Sequence, residues 1–497
     1  MKKPTIISLL LFVLGFGGFM FTRTSTLVPL IPVAILIAPV FILRFSRTLP
    51  ASKGILLTLL GFLLSFNVAL WGLFKFDDVA MMNTYSLIRS SMLAIVWFMP
   101  YMVDRLIHPK FADREIWSSL TFPVVLTAMF FLSSLEGPFD DGSGTLGSFS
   151  FGHLTFQQAY SLFGVWTYVF LYSWFHAIVN YWWERGFEWR YIKWSAIIYA
   201  GIISSIWIYG YVKTTAFASA GLDTVKVAAV VLLPEDGQAV RMERIFNQKV
   251  TSPMATTIKR IDSQVQQAAN QGAKIVSFQE FAMTIQDKDE SALVQQYQKI
   301  AEDHNVYLSI TYAYFGREEK GENKHLFISP DGEILLDYTK RYLLGFGPFG
   351  ETAVFKKGPE VIQSVDTPYG RIGLSICRDM SFTSYLRQAA RADVDIMLSP
   401  AYDWPKSSGP YYLLSTINNG FSLVRPTYNG YSYAADYHGK ILAHMESDTA
   451  KDGIMYAEVP TKGIKTLYPI VGEGLGWLSV IGLMGLLLYR PSKKGKT

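Results

Sequence analysis

Apolar and polar positions fall into two regimes that change near residue 220. Before that point seven apolar runs approach or exceed the ~18–20 residues needed to cross a hydrocarbon layer: about 4–21, 26–44, 54–75, 85–107, 116–134, 161–182 and 192–212. An eighth, about 473–489, closes the chain. Between about 223 and 460, short β-type runs alternate with helical periodicity, the pattern of a layered α/β domain. Strands are expected at 225–233, 274–278, 306–315, 325–329, 334–339, 371–377, 395–400, 423–430 and 453–459, and helices over 254–271, 289–304, 381–392 and 410–421. The organisation predicted is a seven-span region (1–215), a globular domain (222–462), an eighth membrane helix (470–490) and a basic cytoplasmic tail (491–497). The first run opens with Lys2 and Lys3 like a signal peptide, but Gly15, Gly17, Gly18 and Phe19 offer no small-x-small cleavage site, so it is expected to stay as an anchor.

Composition sharpens this picture. The chain has 497 residues, 50% hydrophobic and only 17% charged, which speaks against a purely soluble protein. The net charge of +5 is carried in short clusters between apolar runs and forms no nucleic-acid-binding stripe. Lys2 and Lys3; Arg44, Arg47 and Lys53; Arg105, Lys110 and Arg114; Arg185, Arg190 and Lys193; and Arg490, Lys493, Lys494 and Lys496 fall on one side of the eight runs. The opposite loops hold little beyond Arg23 and Lys75. By the positive-inside rule both termini are cytoplasmic and the α/β domain is extracytoplasmic, in an integral plasma (inner) membrane protein. Arg89, near the outer end of the fourth run, is read as snorkelling to the headgroups, and Asp140 and Asp141 as turn residues in a long outer loop.

A single cysteine excludes an internal disulfide and leaves Cys377 to be explained. It ends the strand RIGLSIC, as Glu280 follows KIVSF and Lys340 follows ILLDYT. Open α/β sheets build ligand sites beyond the carboxyl ends of their strands, so the three can converge, although each alone is more often structural. A thiol with a reference pKa of ~8.5 needs activation at neutral pH. Glu280 can act as general base and Lys340 as the fixed charge for an oxyanion. Ser381 is expected to cap the next helix, aiming its amides at the thiolate.

Glu280 in VSFQEFA, Lys340 in DYTKRYLL, Cys377 in LSICRDMSF and the run from LSPAYDW to LVRPTYNGYS resemble the carbon–nitrogen hydrolase (nitrilase) superfamily, whose hallmark is a Glu-Lys-Cys triad. The eight spans with the domain inserted before the last, and GTLGSFSFGHLTFQQAYSLFGVW at 144–166, look like its apolipoprotein N-acyltransferase branch. The resemblance implies an eight-helix transmembrane bundle plus an α/β nitrilase-like (αββα sandwich) domain, acting as a monomer without cofactor. It implies an acyltransferase that takes an acyl group from a phospholipid donor, holds it as a Cys377 thioester and passes it to a lipoprotein amine. A membrane-tethered amidase, with water as acceptor, uses the same triad. Two departures bear on substrate: the loop from Lys340 to Glu351 is longer than the acyltransferase pattern, and Arg378 and Asp379 stand where that branch has a tyrosine and a glutamate.

Supporting or substrate-binding roles are expected for Glu351, Asp379, Arg378, Trp404 and Phe349. Glu351 would orient Lys340 and Asp379 the second substrate. The aromatic residues of 344–349 and 402–412, including Phe346, Tyr411 and Tyr412, would form a lipid-facing lid. Asn418, Asn419 and Gly420 read as a helix C-terminus, and Arg425 as one half of a structural ion pair. His438 and His444 lack partners at zinc-ligand spacing, and no metal is expected.

Overall fold

The computed structural model describes residues 3–22, 27–71, 79–135, 153–218, 221–233, 254–316, 318–346, 349–403, 412–446 and 452–489. The chain divides into two units, Met1–Gly210 with Glu473–Thr497, and Tyr211–Gly472.

The first unit is helical. Among the described residues four helices are long and apolar enough to cross a membrane: Ala51–Ala69, Asn83–Lys110, Glu115–Ser134 and Trp189–Ala216. Leu154–Phe163 and Trp166–Glu184 meet the same test only as a pair, bent by 112°. Ile6–Thr22 and Gly474–Leu488 are shorter apolar helices. The run expected over 26–44 begins its helix only at Ala34 and ends at Thr48, because Pro29 and Pro32 have no N–H to give to a helical ladder. Each of the eight expected runs thus contains helix, while the length and composition test is met by four, or by five with the bent pair. Side chains such as Ile197, Ile208, Ile481 and Leu488 stand exposed on these helices, a surface compatible with lipid contact.

The second unit carries two large sheets, besides two short strand pairs, Gly345–Phe346 with Phe349–Gly350 and Ala401–Tyr402 with Thr427–Tyr428. The strands of the large sheets are β1 (Thr224–Val231), β2 (Ile275–Phe278), β3 (Met283–Gln286), β4 (Tyr307–Phe315), β5 (Glu322–Ile328), β6 (Ile334–Thr339), β7 (Ser364–Thr367), β8 (Gly370–Leu374), β9 (Ile396–Leu398), β10 (Ser422–Arg425), β11 (Tyr431–Ala435), β12 (Ile441–Glu446) and β13 (Gly453–Pro460). One sheet runs β13-β1-β2-β4-β5-β6, with β3 also on β4; the other runs β12-β11-β10-β9-β8-β7. In both, parallel strands lie at the centre and antiparallel strands outside.

Strand periodicity explains the layering. In β1, Val225, Val227 and Ala229 point inward and pack with Ile372, Leu374, Ile396 and Val424 of the other sheet. Ala228 and Val230 point the other way, onto Ile261, Val265, Leu293 and Tyr297 of the helices Met254–Asn270 and Asp287–His304. The second sheet's outer face is covered by Tyr385, Leu386 and Ala389 of the helix Thr383–Arg391. The unit is therefore a helix–sheet–sheet–helix sandwich. The helix Asp287–His304 opens on Asp287, Asp289 and Glu290, which suit its dipole, and ends at Asn305 in the left-handed conformation. The strand expected over 423–430 breaks at Pro426, which cannot donate to a ladder.

Candidate functional site

β2, β6 and β8 deliver Glu280, Lys340 and Cys377 to one place. Lys340 follows β6, where its backbone N–H donates to the Asn323 carbonyl at 2.9 Å. Its Nζ donates to Glu280 Oε1 and to Glu351 Oε1, both at 2.8 Å. All three side chains are buried. Glu280 Oε1 also accepts from Asn323 Nδ2 at 2.7 Å, and its Oε2 from the Tyr402 backbone N–H at 2.8 Å. The Tyr402 carbonyl lies 3.8 Å from Cys377 Sγ, so one peptide segment touches both the carboxylate and the thiol.

Cys377 has φ +48°, a left-handed backbone rare outside glycine and costing ~1 kcal/mol or more. Its N–H is held by the Pro400 carbonyl at 2.8 Å, just past β9. The next residues form a short 3₁₀ turn, Cys377–Ser381, ahead of the helix Thr383–Arg391. Ser381 does not cap that helix: the capping position is Phe382, and Ser381 Oγ instead meets Tyr412 Oη at 3.1 Å. The intervening turn shifts the helix start by two residues, because Asp379 organises the backbone here.

Asp379 is buried and faces the protein. Its Oδ2 accepts from Tyr338 Oη at 2.7 Å and from the Ile376 N–H at 2.9 Å, and its Oδ1 accepts from the Tyr342 N–H at 2.7 Å. It thereby ties the cysteine turn to the loop after Lys340, and both oxygens are already engaged. Burial raises its carboxyl to about 6, with the hydrogen bonds from Tyr338 and Tyr342 opposing. Arg378 reaches back to the same loop, donating to the Leu343 carbonyl at 2.8 Å and lying over the Phe382 ring. Glu351 is buried as well, and its second oxygen accepts from the Leu344 N–H at 2.7 Å, so the longer loop folds back onto Lys340. Trp404, Tyr411 and the side chains of Phe346 and Phe349 lie outside the described residues.

Electrostatics follow from one buried cation between two carboxylates. Burial works against the charge on Lys340, but Glu280, Glu351 and Cys377 outweigh it and hold the amine protonated. Burial raises the Glu280 carboxyl above its ordinary range, with Lys340 opposing, which makes it a better proton acceptor once formed as the anion. Cys377 keeps some accessible surface. Burial of its thiol, reinforced by Glu280, nevertheless pushes its pKa well up, and Lys340 and Arg425 offset only part of this. The resting group is a thiol beside a base, with the proton to be moved as attack occurs.

Two contributors escaped sequence reasoning. Asn323 precedes the strand expected at 325–329, whereas β5 begins at Glu322 and so includes it. The Tyr402 amide has no sequence signal, since its role comes from backbone position. Arg425 does form an ion pair, with Asp403 Oδ1 at 2.9 Å, and this pair stands close to the cysteine. Among the described residues no group of three or more His, Cys, Asp or Glu could hold a metal ion.

Residues 239–468 match the family model for carbon-nitrogen hydrolase. The chain is similar to citrullinase of Francisella tularensis, 26% identical over 244 residues that cover 41% of this chain and 83% of that protein. It is similar to deaminated glutathione amidase of mouse, 29% identical over 123 residues that cover 22% of this chain but only 37% of that protein. An amidase of known structure from Nesterenkonia sp. aligns at 18% identity over 49% of this chain and 95% of its own, with a TM-score of 0.39.

Proposed function

We propose that the carbon–nitrogen hydrolase domain carried by residues 239–468 works through a Cys377 acyl-enzyme, and that it is a membrane acyltransferase moving a fatty acyl group from a phospholipid to the N-terminal amine of a lipoprotein. The observation that carries the covalent chemistry is the buried Glu280–Lys340–Glu351 array, joined through Tyr402 to a cysteine held in a left-handed turn.

Cys377 Sγ attacks an ester carbonyl while Glu280 takes the thiol proton. Lys340 faces the developing oxyanion, the kind of donor typically worth ~3–4 kcal/mol. Glu280 returns the proton to the departing glyceryl oxygen, leaving a thioester and a lysophospholipid. The acceptor amine then attacks the thioester, loses a proton to Glu280 and displaces Cys377, which recovers that proton. Glu351 keeps Lys340 directed into the site, and Asp379 and Arg378 hold the loops that carry it. The apolar helices favour a lipid donor, and the alternation of basic clusters favours an extracytoplasmic domain with cytoplasmic termini.

A second reading, a membrane-tethered amidase with water as acceptor, is favoured by the amidases and the citrullinase among the relatives. Intact mass after exposure to labelled phospholipid separates the two. A fatty-acyl adduct on wild-type protein, absent in Cys377→Ala, with label passing to a lipoprotein amine, is the outcome expected here. Label recovered as free fatty acid selects the hydrolase, and a wild-type protein that forms no adduct with any phospholipid sinks the lipid-donor reading.

A further inference from the structure

Arg425 ends β10, two strands from the cysteine: Ser399 donates to the Val424 carbonyl, Cys377 to the Pro400 carbonyl and Ala401 to the Pro426 carbonyl, so Arg425 and Cys377 flank the same strand end. Its side chain is 2% exposed. Nη2 donates to Asp403 Oδ1 at 2.9 Å, and the guanidinium lies 4.7 Å over the Tyr412 ring. Tyr412 is itself fixed, its N–H donating to Tyr433 Oη at 3.3 Å and its hydroxyl meeting Ser381. Yet Nη1 of Arg425 has no hydrogen-bond partner among the described residues. A buried guanidinium N–H without an acceptor is costly, more so than a neutral one. Arg425 and Cys377 are also near enough to perturb each other's ionisation.

The charge balance selects what can accept from Nη1. Asp403 already neutralises Arg425, so an anion on Nη1 would bring an uncompensated buried charge. An uncharged oxygen satisfies the N–H without that penalty. Lys340 is assigned to the carbonyl under attack, which leaves a second carbonyl of the same donor. A diacyl lipid has one, a few bonds from the first.

We propose that Arg425 forms a donor subsite beside Cys377, its Nη1 donating to the carbonyl oxygen of the ester that is not cleaved. This rests on the phospholipid reading above. It makes the enzyme selective for diester donors over lipids that lack the second carbonyl, and it makes Arg425 a substrate-positioning residue.

The test is a cycle on the full-length protein in mixed micelles. The rate of Cys377 acyl-adduct formation is followed by intact mass against donor concentration. With 1-palmitoyl-2-oleoyl phosphatidylethanolamine, the mass of the adduct identifies the ester that reacts. The partner donor has the other ester replaced by an ether. Wild type should need roughly tenfold to a hundredfold more of the ether donor for half-maximal rate, from the usual strength of a hydrogen bond to a charged group. Arg425→Lys keeps the charge facing Asp403 but lacks the second nitrogen, and should show the raised requirement for the diester and no further rise with the ether. Should that variant lose its thermal transition, Arg425→Gln with Asp403→Asn, a neutral pair, takes its place. An equal ether penalty in wild type and variant, or none in wild type, overturns the subsite while leaving acyl transfer intact. A wild type that forms no adduct overturns the phospholipid reading and the subsite with it.

Discussion

Replacing Lys340 by Met tests the charge arithmetic of the site without any assumption about substrate. Lys340 is the only cation touching Glu280 and Glu351 among the contacts described, at 2.8 Å from each, and all three are buried. Removing one member of a buried ion pair typically costs ~3–5 kcal/mol, because the partner stays behind as an uncompensated charge. For a unit of this size, each kcal/mol shifts the thermal midpoint by roughly 2–4 °C, so a fall of about 6–20 °C is expected at pH 7.5. The stranded carboxyls can escape by binding a proton. Burial already raises the Glu280 carboxyl, and losing Lys340, which opposes the rise, raises it further. A carboxyl with a folded pKa above its unfolded value near ~4.3 confers most stability below that value and loses it as pH climbs through the folded pKa. The deficit of Lys340→Met should therefore widen from pH 5 to pH 8. Adding Glu351→Gln, which removes one stranded charge, should restore about half of it. Thermal unfolding of the detergent-solubilised protein, followed by circular dichroism across that pH range, measures all three. A variant within about 2 °C of wild type at pH 7.5 would refute the reasoning.

Three further outcomes follow from the same geometry. The Cys377 thiol, held high by burial and by Glu280, should react with iodoacetamide at a rate that is still rising at pH 9, and Glu280→Gln, by removing the negative neighbour, should shift that profile to lower pH; a plateau by pH 8 in wild type contradicts this. In single-turnover acylation, Glu280→Gln should lose roughly 10²–10⁴-fold in rate, the usual contribution of a general base, and a loss under tenfold would remove Glu280 from that role. Gly420 has φ +78°, and a Cβ there would run into the Ile464 carbonyl; Gly420→Ala should destabilise the second unit by more than ~1 kcal/mol, read as a lowered thermal midpoint, and an unchanged midpoint would show that the turn can relax.

The reach of the sequence can be judged residue by residue. Apolar runs announce helices because a helix satisfies its own backbone, so each of the eight runs contains one; how many meet the requirement for a full crossing depends on breaks that run length hides, such as the bend near Gly164 and the late start at Ala34. In the same way β1 is legible, since alternation is local, whereas the edge strands β7 and β12 are not, because neither is buried and each takes its shape from the one neighbour it pairs with. Strand ends located Glu280, Lys340 and Cys377. That Lys340 is shared by two carboxylates, that Tyr402 lends its amide to Glu280, and that Arg425 flanks the cysteine are facts of tertiary structure, since the partners are 11 to 122 residues apart.

Hydrophobic periodicity and residue chemistry thus determined by themselves the two regimes of the chain, the layered domain and its reactive side chains. Only the fold decided which charges share one low-dielectric space. Pairing there is set by ångström distances between strands remote in sequence, and burial fixes the protonation state from which each group must act.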